Sequence, residues 1–582
     1  MPESIIVIGC GPGGMFFCHA LETKYRELIE TGDTDAIANL PEVTVFERAG
    51  SPGGVWRANR NISEEPVSAH EEKKENELEE ENESTQMYEA LWTNGPKEGV
   101  EFFDYTYDDH FGKSLPVYMP RQALLEYMSA RVTRNCPEFF EKYVTFNTNV
   151  SRVVFNDDTQ NFTVTIEHLT TGAISTNTYD RCIWAAGECG LPSMPQTILQ
   201  SLNGFSGRVI HSTATSNFKN DVFGKRILIV GGSFSAEDLG LMACKVGVEQ
   251  AYIASRADDS VVSWMRNWPG DKVECLLNYQ VLSTENSSTI LLQKVQWVCG
   301  ETYEPVEDEE PLRLENIDTV MLCTGYKMQF GMLEPRLQQW SKKDLTRKFK
   351  VPDDWMVEDN AMNRKVASKI GEIPKPKEAL WFGSSKHFPD LYNGILIDNP
   401  KMMFLHHSHD DYPILNHDAM AYLFLQYTTG ARSIPTKEEM RNRNLADALL
   451  EMSRFPLSRY YMDEQYFKAL KEFSEKHDSD YATYWEAETH HSTHDFRLMA
   501  RAMEEGNYPA GIGTFEELNK RGGQLVKYGM LSYYHRSKVP KNKTFRDVQN
   551  ANRFKSFFTG TSAVPLKKLW MDIDEKEDKD LW

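Results

Sequence analysis

Apolar and polar positions along the chain alternate in two repeating plans. Ile5-Ile6-Val7-Ile8 is a short unbroken apolar run, the signature of a strand buried on both faces. A glycine cluster, Gly9-Cys10-Gly11-Pro12-Gly13-Gly14, follows it, and helical periodicity then predicts a helix over Met15 to Thr31. The same three-part order returns at Arg226-Ile227-Leu228-Ile229-Val230, at Gly231-Gly232-Ser233-Phe234-Ser235-Ala236 and over a helix at Glu237 to Val246. Between the two units, Tyr143 to Ile166 alternates with period two, as half-buried strands do. Cys182-Ile183-Trp184-Ala185-Ala186-Gly187 reads as a buried strand ending at a glycine, and Asp318 to Gly325-Tyr326 repeats that ending after the second unit.

Strand, tight turn and helix in that order are the units of a doubly wound sheet. The fold class expected is therefore α/β, with two Rossmann-like dinucleotide-binding domains and a helical C-terminal extension. The extension is predicted from about Ser433, with helices over Lys437 to Met452, Asp463 to Lys476 and Thr514 to Tyr528, and it ends in an acidic tail at 572–580. Boundaries follow: 1–190 as the first part of one dinucleotide domain, 191–320 as the inserted second, 321–432 as the remainder of the first with a wall of the substrate pocket, and 433–582 as scaffold. Ser63 to Gln86 holds ten glutamates and two lysines and almost no apolar residue, so it reads as a disordered surface insertion.

Composition narrows the partners. The 582 residues carry 64 basic and 86 acidic side chains, a formal charge of −22, which repels phosphate backbones and anionic lipid. Neither nucleic acid nor membrane is an expected partner. No apolar run approaches the twenty residues of a membrane span, and the amino terminus reaches its first strand too soon for a cleavable signal, so a cytoplasmic location is expected. Nine scattered cysteines without Cys-x-x-Cys spacing read as reduced, mostly buried thiols and argue against structural zinc or a redox dithiol.

The chemistry sits at the glycine clusters. Gly9, Gly11 and Gly14 have G-x-G-x-x-G spacing between a strand and a helix, where bare amides meet a pyrophosphate at the helix dipole. Val43 to Glu47 ends a second strand in an acid suited to ribose hydroxyls, 33 residues beyond Gly14, which implies a lengthened helix or loop. Gly53-Gly54-Val55-Trp56 then lets the chain pass under a large planar ligand and covers it with an indole. In the second cluster Ser233 and Ala236 replace glycines, and its next strand ends in Ser255-Arg256, where a guanidinium beside a hydroxyl suits a ribose 2′-phosphate. The first site suits FAD and the second NADPH. The bland readings are a glycine turn in an ordinary α/β domain and a surface arginine.

With these residues the sequence resembles the flavin-containing monooxygenases and, among them, the bacterial trimethylamine monooxygenase type. The resemblance extends through Met87 to Glu98, Asp109-His110-Phe111-Gly112-Lys113, Pro120-Arg121, Phe205-x-Gly207-x-x-x-His211, Gly232 to Asp238, Cys323-Thr324-Gly325-Tyr326, Thr544 to Asp547 and Thr559-Gly560-Thr561. These landmarks run in order over nearly the whole chain. The resemblance implies FAD contacts at Gly9, Gly11, Gly14, Glu47, Arg48, Gly54, Val55, Trp56, Thr93 and Val150. It implies NADPH contacts at Ser233, Ser235, Ala236 and Arg256, with Thr324 and Gly325 also among the cofactor-binding residues. It places Asn94 beside the flavin ring, where a carboxamide donates to the distal oxygen of a flavin hydroperoxide without supplying an acid; as a residue type in Asn94-Gly95-Pro96 it is equally a turn former.

The activity implied is NADPH- and FAD-dependent transfer of one oxygen atom from O2 to nitrogen or sulfur of a small polar molecule. A tertiary amine such as trimethylamine, giving the N-oxide, is favoured; a sulfide or sulfinate, or a primary amine that becomes N-hydroxylated, are the alternatives. Two departures bear on substrate. Thr215 stands four residues after His211, where ketone-oxidising relatives want tryptophan. Asn399 to Ala421 carries His406-His407-Ser408-His409-Asp410-Asp411-Tyr412 in place of an aromatic wall, so Asp411 and Tyr412 are candidate substrate contacts, with a carboxylate that could pair a cationic ligand. No metal is expected there, and Met402 to Leu405 reads as a buried strand. The rival from another class is a flavin-bearing redox-regulatory protein that does not oxygenate. Substrate identity, subunit count (monomer or homodimer), the purpose of 63–86 and the strictness of NADPH preference stay open at this level.

Overall fold

The computed structural model describes residues 2–57, 87, 91, 100–102, 104–112, 121–187, 192–215, 217–257, 272–299, 302–327, 330–338, 348–359, 363–364, 367, 373, 375–380, 389–405 and 413–454. Two parallel sheets organise it. The first has seven strands in the order Leu391–Tyr392, Ile395–Leu396, Met402–Phe404, Arg181–Trp184, Ser4–Ile8, Glu42–Phe46 and Val144–Thr145; the five from Met402–Phe404 onward are parallel. The second is parallel throughout, in the order Val273–Leu277, Gln250–Ser255, Arg226–Val230, Thr319–Leu322 and Arg208–His211.

The apolar runs become central strands because each feeds two cores at once. Side chains alternate across a strand. Ile5 and Val7 enter one cluster, and Ile6 and Ile8 another on the opposite face. Ile227 and Ile229 divide from Leu228 and Val230 in the same way.

Each sheet has helices on one face and an antiparallel sheet on the other. Over the first lie the helices Pro12–Thr31, Arg121–Thr133 and Pro413–Thr428, whose apolar sides form one core with Phe16, Phe102, Tyr127 and Leu423. The opposite face is covered by the meander Thr148–Asn156, Asn161–His168 and Ala173–Tyr179, which contributes Phe155, Phe162 and Val164. Over the second sheet the helix Phe234–Val246 buries Ala236, Leu239 and Ala243; the other face is covered by strands Tyr279–Thr284, Ile290–Cys299, Thr302–Pro305 and Leu312–Leu314.

The expected strands at Ile5, Glu47, Tyr143 to Ile166, Cys182, Arg226, Met402 and Asp318 are all present. Both glycine-turn helices start three residues earlier than their periodicity predicts, at Pro12 and Phe234. A proline at the start supplies a helical φ and gives up an amide that had no partner there. The separation between Gly14 and Glu47 is taken up by the 20-residue helix, capped by Gly32 in the left-handed region, and by a short helix Thr34–Ala38. The last helix expected within the described residues runs Lys437–Arg454. The insertion 63–86, the helices expected at 463–476 and 514–528 and the acidic tail lie outside the described residues.

Candidate functional site

The two glycine turns are built by the same backbone device. Gly9 follows its strand at φ +99°, its N–H donates to Phe46 O at 2.8 Å, and a Cβ there would stand 2.8 Å from Ala185 O. Gly231 follows its strand at φ +141°, its N–H donates to Ala254 O at 2.9 Å, and a Cβ would stand 2.2 Å from Cys323 O. In each sheet the glycine thus lies between the strand on one side and the strand that closes the domain on the other, and only glycine fits. The next landmark residues, Gly11 and Ser233, precede the first helical turn in matching extended conformations, at φ −76°, ψ −170° and φ −108°, ψ −169°.

What demands glycine differs along the first turn. Gly14 is demanded by packing, because a Cβ would lie 2.2 Å from Gly9 O. Gly11 is not: its φ is open to any residue, and among the described residues a Cβ would touch nothing nearer than Gly54 Cα at 3.6 Å. Packing among the described residues therefore does not account for a glycine there; in dinucleotide folds a pyrophosphate approaches a helix start of this kind. Ser233 carries a hydroxyl at the equivalent place; it is exposed and does not cap its helix.

Glu47 ties the first site together. Buried to 8% exposure, its carboxylate accepts the Cys10 N–H at 2.7 Å and the Ala49 N–H at 2.8 Å. Two carboxylate oxygens offer about four lone-pair directions, so two hydroxyls can still be accepted. The Gly53–Trp56 segment folds under this turn: Gly53 N–H donates to Cys10 O at 2.8 Å, and a Cβ on Gly54, at φ +54°, would stand 3.0 Å from Gly11 Cα. Val55 and Trp56 are half-buried in a 3-10 turn, and Arg48 is exposed. Val150 lies near the end of the acid strand, two residues after Thr148, whose N–H donates to Glu47 O at 2.9 Å; its side chain is 4% exposed and packs in the core, which leaves only its backbone for a ligand.

At the second site Ala236 and the hydroxyl of Ser255 both turn inward. Ala236 is fully buried against the sheet, so its methyl is a packing group with no reach to a ligand. Ser255 is 4% exposed and exchanges hydrogen bonds with the Ala257 backbone, 3.1 Å to its O and 3.2 Å from its N. Arg256 is exposed at the strand end, and Ser235 is half-buried in the first turn of the helix.

Thr324 and Gly325 lie where the chain returns from the second sheet. Thr324 Oγ1 donates to Ser193 O at 2.5 Å, Ser193 N–H donates to Gly325 O at 2.9 Å, and Pro192 bridges Tyr326. The two chain crossings are therefore bonded to one another. His211 Nε2 is 3.1 Å from Gly325 O, an acceptor only, so that nitrogen carries the proton. Burial lowers the His211 pKa, opposed by that carbonyl, and the ring is neutral at pH 7.

Arg121 is a site residue that motif reading passed over. It begins the helix Arg121–Thr133, is 3% exposed, and its guanidinium donates to Trp56 O, fixing the Gly53–Trp56 turn from below. Only its place in the Pro120-Arg121 landmark hinted at it. Thr93, Asn94, Asp411, Tyr412 and the rest of the His406 to Tyr412 segment lie outside the described residues.

A pair of parallel sheets, each with a strand–glycine turn–helix unit, defines an α/β protein with two dinucleotide sites. Residues 37–296 match the family model described as flavin-binding monooxygenase-like. The chain is 28% identical over 342 residues to trimethylamine monooxygenase of Roseovarius nubinhibens, an alignment covering 58% of this chain and 64% of that enzyme's length. It is 26% identical over 431 residues to trimethylamine monooxygenase of Methylocella silvestris, covering 73% of this chain and 88% of the enzyme. The crystal structure of Tmm from Pelagibacter sp. strain HTCC7211 superposes with a TM-score of 0.59 at 20% identity, over 91% of this chain and 92% of that one, a likeness of fold. Residues 37–296 are thus similar to the flavin-binding monooxygenase-like family.

Proposed function

We propose that the protein is an NADPH- and FAD-dependent monooxygenase that transfers one oxygen atom from O2 to nitrogen or sulfur of a small polar molecule, with a trimethylamine-like tertiary amine going to its N-oxide as the favoured reaction. The observation that carries this is the pairing of two equivalent glycine turns with unlike strand ends. Beside the first, Glu47 is placed to accept ribose hydroxyls, which suits FAD; beside the second, Arg256 offers a cation, which suits the extra phosphate of NADPH. When bound, the two cofactors supply the two-electron activation of oxygen that no side chain can perform. The chain's own part is to hold them. Gly11 admits the first pyrophosphate, Glu47 fixes the turn through the Cys10 amide, Arg121 steadies the loop that carries Trp56, and Ser233 offers a hydroxyl to the second pyrophosphate.

The FAD module in this reading comprises 1–190 and 321–432, the NADPH module 191–320, and 433–582 is an extension; membership of the two parallel sheets supports that division except at 320/321, which falls inside the strand Thr319–Leu322 of the second sheet. Asn94 is assigned to the flavin edge and Asp411 with Tyr412 to the substrate. The reading is tested by purifying the full chain, confirming bound flavin by its colour, and assaying amines, sulfides and sulfinates with NADPH in air, scored by product. Trimethylamine N-oxide as the main product supports it. Peroxide without any oxygenated product would transfer the protein to the regulatory class.

A further inference from the structure

Arg256 is held in place from a distant part of the chain. It follows the strand Gln250–Ser255, and the inward hydroxyl of Ser255, bonded to both backbone groups of Ala257, shapes the turn on which it stands. Two residues before it, Ala254 O receives the Gly231 N–H, so Arg256 leaves the sheet at the same end as the second glycine turn. Its guanidinium carbon lies 4.9 Å from the ring centroid of Tyr303. Tyr303 belongs to the strand Thr302–Pro305, opposite Trp297, in the antiparallel sheet that covers the parallel one.

We propose that Tyr303 is a positioning residue for dinucleotide selection: its ring holds one face of the Arg256 guanidinium so that the edge N–H groups face the 2′-phosphate of an adenine dinucleotide at the second glycine turn. This rests on the reading of Arg256 as the phosphate partner. An exposed arginine samples many rotamers, and ordering it on binding subtracts from affinity. A ring against its plane removes part of that loss before the ligand arrives. The cation–π contact uses the face of the guanidinium and phosphate uses its edge, so the two do not compete. In this reading the effect is confined to the ligand that carries the 2′-phosphate, the one group assigned to Arg256.

Calorimetric titration of the full-length protein with adenosine 2′,5′-bisphosphate and, separately, with 5′-AMP tests this without turnover. Tyr303→Ala is expected to weaken the bisphosphate about tenfold while changing 5′-AMP by less than about twofold. Tyr303→Phe, which keeps the ring, is expected to bind both like the parent. Arg256→Ala is expected to erase the preference for the bisphosphate, with Tyr303→Ala adding nothing on top of it. If Arg256→Ala keeps the preference, the phosphate reading itself fails and takes Tyr303 with it. If Arg256→Ala loses the preference but Tyr303→Ala either matches the parent or weakens both nucleotides equally, only the positioning role is overturned.

Discussion

Glu47 Oε2 accepts the backbone N–H of Cys10 at 2.7 Å, so the acid that closes the second strand also holds the first glycine turn in shape. Its other oxygen takes the Ala49 N–H. Glu47→Gln keeps the size but sets an amide NH2 against one of two backbone donors. The expected result is a stability loss of about 1–3 kcal/mol by urea unfolding together with purification of largely flavin-free protein. Full flavin occupancy in that variant would separate Glu47 from the site.

Gly11 and Gly231 make opposite predictions for the same substitution. Gly231→Ala forces a Cβ against Cys323 O and a left-handed φ on alanine, and is expected to cost at least about 1–3 kcal/mol in stability. Gly11→Ala meets no atom of the described residues closer than 3.6 Å. It is expected to unfold within about 0.5 kcal/mol of the parent yet to lose most of its flavin affinity. Retained flavin affinity would show that nothing passes close to Gly11.

A buried ionic cluster joins the helices over the first sheet. Arg131, 1% exposed, pairs both oxygens of Asp418 at 2.7 and 2.9 Å and Asp104 at 2.8 Å, and Arg134 also reaches Asp104. Asp418→Ala leaves a buried cation without one of its partners and is expected to destabilise by about 3–5 kcal/mol.

The same cluster sets an acid limit. Burial pushes the Asp104 pKa up, but Arg131, His19 and Arg134 outweigh it and hold the carboxyl well below the usual carboxylate range. A folded-state pKa below the unfolded one contributes stability at pH above the unfolded value, about 3.9, and loses it as pH falls further. Unfolding free energy is therefore expected to fall more steeply from pH 5 to pH 3 (about the unfolded carboxylate range) in the parent than in Asp104→Asn, measured by urea titration. Equal slopes would remove Asp104 as a source of the acid sensitivity.

Asn94→Ala is expected to bind FAD normally while diverting NADPH consumption to hydrogen peroxide. Product and NADPH counted together check this; unchanged coupling would release Asn94 from its assigned place.

The sequence made the two dinucleotide units legible because their signals are local: four or five apolar residues in a row, then glycines at fixed offsets. In the structure Gly9, Gly14 and Gly231 are each demanded by backbone packing around their turn. What stayed hidden depends on residues far apart in the chain. Ser255 faces inward because of the turn it makes with Ala257, Ala236 is buried because the helix settles on the sheet, and Arg121 reaches Trp56 across 65 positions. The antiparallel covers over both sheets were legible in part for Tyr143 to Ile166, where alternation is clean. They were silent for Tyr279 to Leu314, where short strands such as Leu312–Leu314 carry too few residues for a period to register.

If two dinucleotides act together in this chain, an oxygen atom from air ends on the substrate. The most direct measurement is mass spectrometry of the product formed by the purified full-length protein from trimethylamine and NADPH under oxygen-18 gas. N-oxide carrying the heavy isotope, in step with NADPH consumed, is the expected result. Unlabelled amine recovered alongside peroxide, with sulfide and sulfinate substrates equally untouched, would contradict it.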